Sequence, residues 1–264
     1  MTIEIKAIDD SAFAREVIGA QLWRDLGAAE FAAIQSAWAD SGVLVFRRQA
    51  LSEAELVAFS ARLGKPEVIH RSDWLSAEHP EIAFLSNLRD NDGNTIGRTG
   101  TDDLEWHTDQ SYVVAPATGA LLYGVEIPND GGGSTWWANM RMAYAALPVA
   151  IKGAIEGKRA IFDYTKRLAG YDKGSQKVTE EMRRKTPAIT HALVNTHPVT
   201  GTRALYLDPE TTIGIEGMPQ QEALDLLETL RTLATRPEFV YKHRWQVGDA
   251  VLWDNGVMLH RRDR

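Results

Sequence analysis

Two short words in this 264-residue sequence carry side chains suited to holding a metal ion. They are Trp106-His107-Thr108-Asp109 and, far downstream, Trp253-Asp254-Asn255-Gly256-Val257-Met258-Leu259-His260. In extended backbone, residues i and i+2 project from one side, so His107 and Asp109 at a strand end converge on one ion while Thr108 points away. A second imidazole from a neighbouring strand would complete two histidines and a carboxylate on one face of an octahedron, leaving three positions for exogenous ligands. His260 is the candidate. Among the other histidines, His79 lies in a polar Glu-His-Pro turn, and His191 and His243 sit among ordinary strand residues, where structural or solvated roles are expected. His197, in Thr196-His197-Pro198-Val199-Thr200-Gly201, reads as a turn residue and is the strongest competitor for the second imidazole. Cysteine is absent, which removes disulfides, thiolate ligands and a cysteine nucleophile together, so any metal must rest on histidine and carboxylate.

The elements that must position these groups read as an α-plus-β opening followed by many short strands. Ala28 to Asp40 has the spacing of a helix, with Phe31, Ile34 and Trp38 on one face, and Ser41-Gly42 ends it before the buried strand Val43 to Phe46. Ser52 and Glu55 form a capping box for a helix that Gly64 ends. Strands are predicted at Val17 to Leu22, Gly119 to Ile127, Thr135 to Asn139, Ala192 to Val194 and Ala204 to Leu207, and again at Phe239 to Gln246, Ala250 to Trp253 and Val257 to His260. Helices are predicted at Met140 to Leu147, Ala150 to Ile155 and Gln220 to Ala234. Such a pattern fits a β-sandwich or jelly roll better than a parallel α/β sheet. The basic stretch Lys166 to Lys185 reads as a solvated face. The net charge of −7 counts against general nucleic-acid binding. No run of about 18 apolar residues is present, so no membrane span is expected. The acidic start, with Glu4, Asp9 and Asp10, lacks a secretory core, and a cytoplasmic address follows as the expectation.

Several ordered motifs together carry a family resemblance: Gly42-Val43-Leu44-Val45-Phe46-Arg47, Trp106-His107-Thr108-Asp109, Gly132-Gly133-Ser134-Thr135, Ala143-Tyr144-Ala145-Ala146-Leu147, Thr196 to Gly201 and Trp253-Asp254-Asn255. The sequence resembles the taurine dioxygenase/TfdA family of Fe(II)- and 2-oxoglutarate-dependent dioxygenases from about Gly19 to its last residue. The resemblance implies a mainly β fold with surrounding helices, a double-stranded β-helix of the jelly-roll, cupin-like kind. It implies Fe(II) on His107, Asp109 and His260, 2-oxoglutarate as co-substrate with Thr135 at its distal carboxylate, and O2. The implied reaction hydroxylates a small organic substrate, an anionic one in taurine or phenoxyalkanoate oxidation, and releases succinate and CO2. By position His70 and Asn87 resemble substrate-pocket sites of the family, with Trp74 and Tyr112 as an apolar wall.

The family also places an arginine for the distal carboxylate roughly ten residues after the second iron-binding histidine. The expectation is therefore a single dioxygenase domain over residues 1–264 whose final strand, with that arginine, lies beyond Arg264. Arg261, Arg262 and Arg264 are expected at the surface. Two other readings use the same residues: a non-catalytic ligand-binding or regulatory protein on this fold, and a cupin-like metalloenzyme independent of 2-oxoglutarate. The same three ligands also accept Mn, Co, Ni or Zn. No nucleic-acid or membrane partner is expected, and a homo-oligomer is compatible with the aromatic strands.

Overall fold

The apolar run Val43–Phe46 forms a strand (β3) buried at every position, as befits a strand covered on both faces. Val43 and Val45 join one core cluster with Val251 and Trp253, whereas Leu44 and Phe46 join a second with Phe31, Ile34 and Phe59. This period-2 division sets the layering. In a computed structural model that describes residues 3–69, 74–97, 104–170 and 179–264, a five-stranded sheet has the order β1 (Glu4–Ala7), β2 (Arg15–Ile18), β3, β13 (Ala250–Asp254), β5 (Gly119–Tyr123). A four-stranded sheet has the order β12 (Val240–His243), β6 (Thr135–Asn139), β14 (Met258–Arg262), β4 (Leu104–His107). The inner faces meet at Trp137 and Trp253, whose ring centroids are 5.6 Å apart. Helices α1 (Ala28–Ser41) and α2 (Glu53–Leu63) cover the outer side of the five-stranded sheet through Phe31, Ile34 and Phe59. The fold is a double-stranded β-helix, a jelly roll with helices outside.

Smaller sheets, β11 (Thr212–Ile215) with β7 (Arg159–Phe162) and β8 (Ile189–Ala192), and β10 (Arg203–Leu205) with β9 (Val194–Thr196), flank the main pair. The remaining helices are α3 (Met140–Ala146), α4 (Val149–Ile155), α5 (Tyr164–Gly170), α6 (Glu180–Lys185) and α7 (Gln220–Ala234). None of the helices among the described residues is long and apolar enough to cross a membrane.

Local signals explain where the helices begin and end. Ser52 Oγ accepts from Glu55 N (3.3 Å) and Glu55 Oε2 accepts from Ser52 N (2.8 Å), the predicted capping box. Gly42 closes α1 at φ +75°, its N–H donating to Trp38 O. A Cβ at Gly42 would stand 2.2 Å from Met258 Cε. Gly42→Ala is therefore expected to cost about 1–3 kcal/mol of stability, from a left-handed backbone and a displaced Met258. Each kcal/mol lowers the unfolding temperature of a chain this size by roughly 2–4 °C, and thermal melts check it.

Where the structure departs from the sequence reading, short strands are the reason. The segment predicted at Val17 to Leu22 pairs instead at Arg15–Ile18, since Gly19 takes φ +83° and turns the chain. The strand predicted to Ile127 stops at Tyr123, and that predicted from Phe239 begins at Val240 after a 3-10 turn over Pro237–Phe239. Of the basic stretch, α6 is solvated, but Arg167 on α5 is buried and pairs with Glu210 (Nε–Oε2 3.0 Å). Residues 171–178 lie outside the described residues.

Candidate metal centre

Strand β14 lies between β6 and β4, and its register builds the site. His260 faces His107 on β4 and Trp137 on β6, and directly opposed residues of antiparallel strands project to the same side. His107 is the last residue of β4, and Asp109 follows in a turn where Gln110 has φ +55°. The i, i+2 relation then returns the Asp109 carboxylate to the side of the two imidazoles. Asp109 Oδ1 stands 3.8 Å from His107 Nε2 and 3.7 Å from His260 Nε2. One ligand atom from each of the three lies within 4.8 Å of the others. His107 and His260 are buried, while the Asp109 side chain is 35% exposed, so the group is open to solvent on the carboxylate side.

These groups fit a cation on chemical grounds. Their N···O separations exceed a hydrogen bond, so they converge without bonding to one another. His107 Nδ1 donates to Glu105 O at 2.8 Å, because a carbonyl can only accept, and that leaves Nε2 with its lone pair aimed at Asp109. Burial pushes the His260 imidazole below its ordinary value; Asp109 opposes this, Arg167 adds to it and Asp208 opposes it. A neutral imidazole is the form a metal requires. His260 Nδ1 and the Tyr206 hydroxyl are buried without a hydrogen-bond partner among the described residues. Burial raises the Tyr206 hydroxyl, and the charges of Asp208 and Asp109 push the same way.

Hydrogen bonds hold the segments that carry His107, Asp109 and His260 in register. Thr108 Oγ1 donates to Asn255 O (2.8 Å), and Trp253 Nε1 donates to Asn255 Oδ1 (2.9 Å). Asn255 thus ties the β13–β14 turn to the loop carrying Asp109. Two residues further on, Ser111 Oγ donates to Asp208 Oδ2 (2.5 Å) and meets Thr211 Oγ1 (2.7 Å). Asp208 is wholly buried; burial raises its carboxyl, and the Ser111 bond and the Arg167 charge oppose the rise. Tyr112 stacks on Tyr164 of α5 at 4.2 Å. The wall of Ser111, Tyr206, Asp208, Arg167 and Glu210 was not singled out from the sequence. Its one available signal was a polar Asp directly after an apolar strand.

The other sequence candidates have separate places. His197 Nε2 donates to Asp254 Oδ2 (2.9 Å), because its Nδ1 accepts from Thr200 N (3.1 Å), so it braces the Asp254 turn and is not in the convergent group. His243 bonds Asp249 and Tyr241, and His191 bonds Val113 O. Thr135 is buried on the inner face with Arg262 opposite it and His260 two residues along β14. Its Oγ1 accepts from Trp245 Nε1 (2.9 Å), leaving the hydroxyl proton to donate elsewhere. Asn87 is exposed, and His70 lies outside the described residues. Asn139 caps α3 by accepting from Arg141 N and Met142 N. Trp137 is fully buried in the core, whereas Trp136 is half-buried, packed against the same cluster and covered by Lys242 and Arg261. Neither Arg261 nor Arg262 is fully exposed.

Known proteins resemble this chain along nearly its whole length. The family described as taurine catabolism dioxygenase TauD, TfdA family matches residues 4–264. The alpha-ketoglutarate-dependent 2,4-dichlorophenoxyacetate dioxygenase of Cupriavidus pinatubonensis is 34% identical, over 96% of this chain and 89% of that protein. The (S)-phenoxypropionate/alpha-ketoglutarate-dioxygenase of Sphingobium herbicidovorans is 31% identical, over 96% and 86%. Among solved structures, AAD-2 in complex with Mn(II) and N-oxalylglycine superposes with a TM-score of 0.82 at 30% identity, covering 100% of this chain and 92% of that one.

Proposed function

This chain belongs to the TauD/TfdA family and is an alpha-ketoglutarate-dependent dioxygenase, and from that premise we propose that His107, Asp109 and His260 hold its Fe(II) and that Thr135 binds the distal carboxylate of 2-oxoglutarate. The enzyme uses Fe(II) and 2-oxoglutarate and acts on a small organic substrate. The convergence of the three ligand atoms within 4.8 Å carries the assignment of the metal site. Held there by His107, Asp109 and His260, Fe(II) would supply the activation of O2 that couples conversion of 2-oxoglutarate to succinate and CO2 with hydroxylation of the substrate.

The chain's own residues then have definite tasks. Two neutral imidazoles and one carboxylate leave an Fe(II) site with net positive charge, which favours a dianionic 2-oxo acid at the remaining positions. The Thr135 hydroxyl, held by Trp245, donates a hydrogen bond of fixed direction. Buried aromatic residues behind His260, with Trp253 at 5.0 Å, keep water from that side. We propose a carboxylate-bearing substrate; the names of the phenoxyacetate and phenoxypropionate enzymes support that class. His70 and Asn87 are proposed to line its pocket, within a single dioxygenase domain over residues 1–264.

The test is succinate release with Fe(II), 2-oxoglutarate, O2 and a panel of aryloxyalkanoates and neutral analogues. Turnover with the acids and none with the esters supports the reading, and the reverse sinks the substrate class. Thr135→Val keeps the shape and removes the donor. It is expected to raise KM for 2-oxoglutarate about tenfold or more, the worth of one hydrogen bond to a charged group, with metal affinity unchanged. An unaltered KM would remove Thr135 from the co-substrate site.

A further inference from the structure

Two groups beside the metal centre are unsatisfied, and each has what the other lacks. The Tyr206 side chain is 5% exposed, and its hydroxyl has no hydrogen-bond partner among the described residues. A buried donor left without an acceptor is destabilising, and native folds keep few of them. The Asp109 carboxylate is the complementary case. Both imidazoles approach its Oδ1, while Oδ2 accepts no hydrogen bond among the described residues. A carboxylate that gives one oxygen to a metal is ordinarily held by a hydrogen bond of its own, which fixes the direction of the ligand.

Packing sets Tyr206 against the loop that carries Asp109. Its ring lies edge-on to His191, with centroids 5.5 Å apart, and 5.7 Å from Phe162. His191 Nε2 donates to Val113 O (3.0 Å), and Asp208, two residues after Tyr206, accepts from Ser111 Oγ (2.5 Å). Tyr206 is thus flanked by two groups that grip this loop at Ser111 and Val113, and its own N–H is fixed by Leu193 O at 2.9 Å. Asp208 and Asp109 are the carboxylates whose charges act on the phenol. Asp208 is already engaged, since Oδ2 accepts from Ser111 and Oδ1 from Glu210 N at 2.8 Å. Asp109 is the one with an oxygen to spare. Resting on the assignment of His107, Asp109 and His260 as the metal ligands, we propose that Tyr206 is a positioning residue for that site, its hydroxyl donating to Asp109 Oδ2 and so directing Oδ1 at the ion when metal is bound. In metal-free protein, water serves the carboxylate, whose side chain is 35% exposed, but does not reach the phenol.

Tyr206→Phe removes the hydroxyl and keeps the ring. Calorimetric titration of Mn(II) into the full chain is expected to show an affinity about tenfold or more below wild type, the usual effect of losing a group that supports a ligand. Melts of the metal-free proteins separate this from a structural role: Tyr206→Phe should unfold at or above the wild-type temperature, because it deletes a buried hydroxyl that is unpaired in that state. Asp109→Ala, titrated alongside, tests the underlying assignment. If it binds Mn(II) like wild type, the ligand set fails and the proposal falls with it. If it loses Mn(II) while Tyr206→Phe binds with wild-type affinity, the ligand set stands and the role of Tyr206 alone is overturned. A metal-free Tyr206→Phe that melts clearly below wild type also overturns it, by placing the hydroxyl in a bond of the resting fold. So does a raised KM for the organic substrate with Mn(II) affinity unchanged, which would make the phenol a substrate contact.

Discussion

Asp109→Ala is expected to abolish metal binding and succinate release together while leaving the fold intact. Asp109 is the only anion in the convergent group, and both imidazole Nε2 atoms approach the same oxygen, Oδ1, at 3.8 and 3.7 Å. Without it two neutral donors remain, too few to retain a divalent ion against water. Metal affinity should fall by more than about 100-fold, beyond the usual effect of losing a group that only supports a ligand. Because the Asp109 side chain is 35% exposed and its backbone is held by the neighbouring Thr108 and Ser111 bonds, the metal-free variant should melt like metal-free wild type. His107→Ala should give the same loss of metal. Calorimetric titration with Mn(II), paired with a succinate assay under Fe(II), reads both effects. Wild-type metal affinity in either variant would refute the assigned ligand set.

Asp249→Ala should produce the largest loss of stability outside the hydrophobic core. A single oxygen, Oδ2, accepts from Arg47 Nη1 (2.5 Å), His243 Nε2 (3.0 Å) and Gln246 N (2.9 Å). With Nε2 donating, His243 Nδ1 accepts from the Tyr241 hydroxyl at 2.9 Å. Removing the carboxylate leaves a partly buried guanidinium and a buried imidazole N–H without their acceptor. Breaking such a buried pair costs about 3–5 kcal/mol, or roughly 6–20 °C in the unfolding temperature. Denaturant titration measures it, and a loss below 1 kcal/mol would contradict the assignment.

The same network gives a pH dependence of definite sign. Burial pushes the His243 imidazole below its ordinary 6.5; the Asp249 hydrogen bond opposes this, Arg47 adds to it and the Asp249 charge again opposes it. The folded state therefore keeps His243 neutral at a pH where the unfolded chain has taken up a proton. Its stability contribution is complete above 6.5 and is lost as pH falls through that value toward the depressed folded one. His243→Gln should flatten the stability profile between pH 7 and 5, compared as slopes and not as absolute values. An unchanged slope would mean that His243 titrates alike in both states.

Local chemistry made part of this protein legible in one dimension. The capping box of Ser52 and Glu55, the Gly42 stop, the helix Gln220–Ala234 and the strand Thr135–Asn139 depend on neighbours within a few residues, and the sequence reading placed them correctly. His107 and Asp109 belong to the same class, since their convergence needs only i, i+2 spacing at a strand end. Four-residue strands such as β1, β7, β8 and β11 were missed because so short a segment is specified by its partner strand more than by its own composition.

Which histidine completes the triad was a different kind of question. His197 and His260 differ little as local words, and what separates them is a ladder that sets His260 opposite His107 across 153 positions, while His197 is drawn to Asp254. Likewise Arg167 reads as one cation in a solvated run until packing sets it against Glu210, and the neighbouring Trp136 and Trp137 look alike in the sequence until the sheet buries Trp137 fully and leaves Trp136 half-buried on the other face. Sequence by itself determined the helix ends and the pairing of His107 with Asp109 as candidate ligands, because those follow from covalent spacing and adjacent hydrogen bonds. Tertiary structure alone decided that His260, the candidate already named, stands beside them and His197 does not, and it alone set the buried ion pairs and the two faces of the sheet, because strand register and burial arise from contacts between residues far apart in the chain.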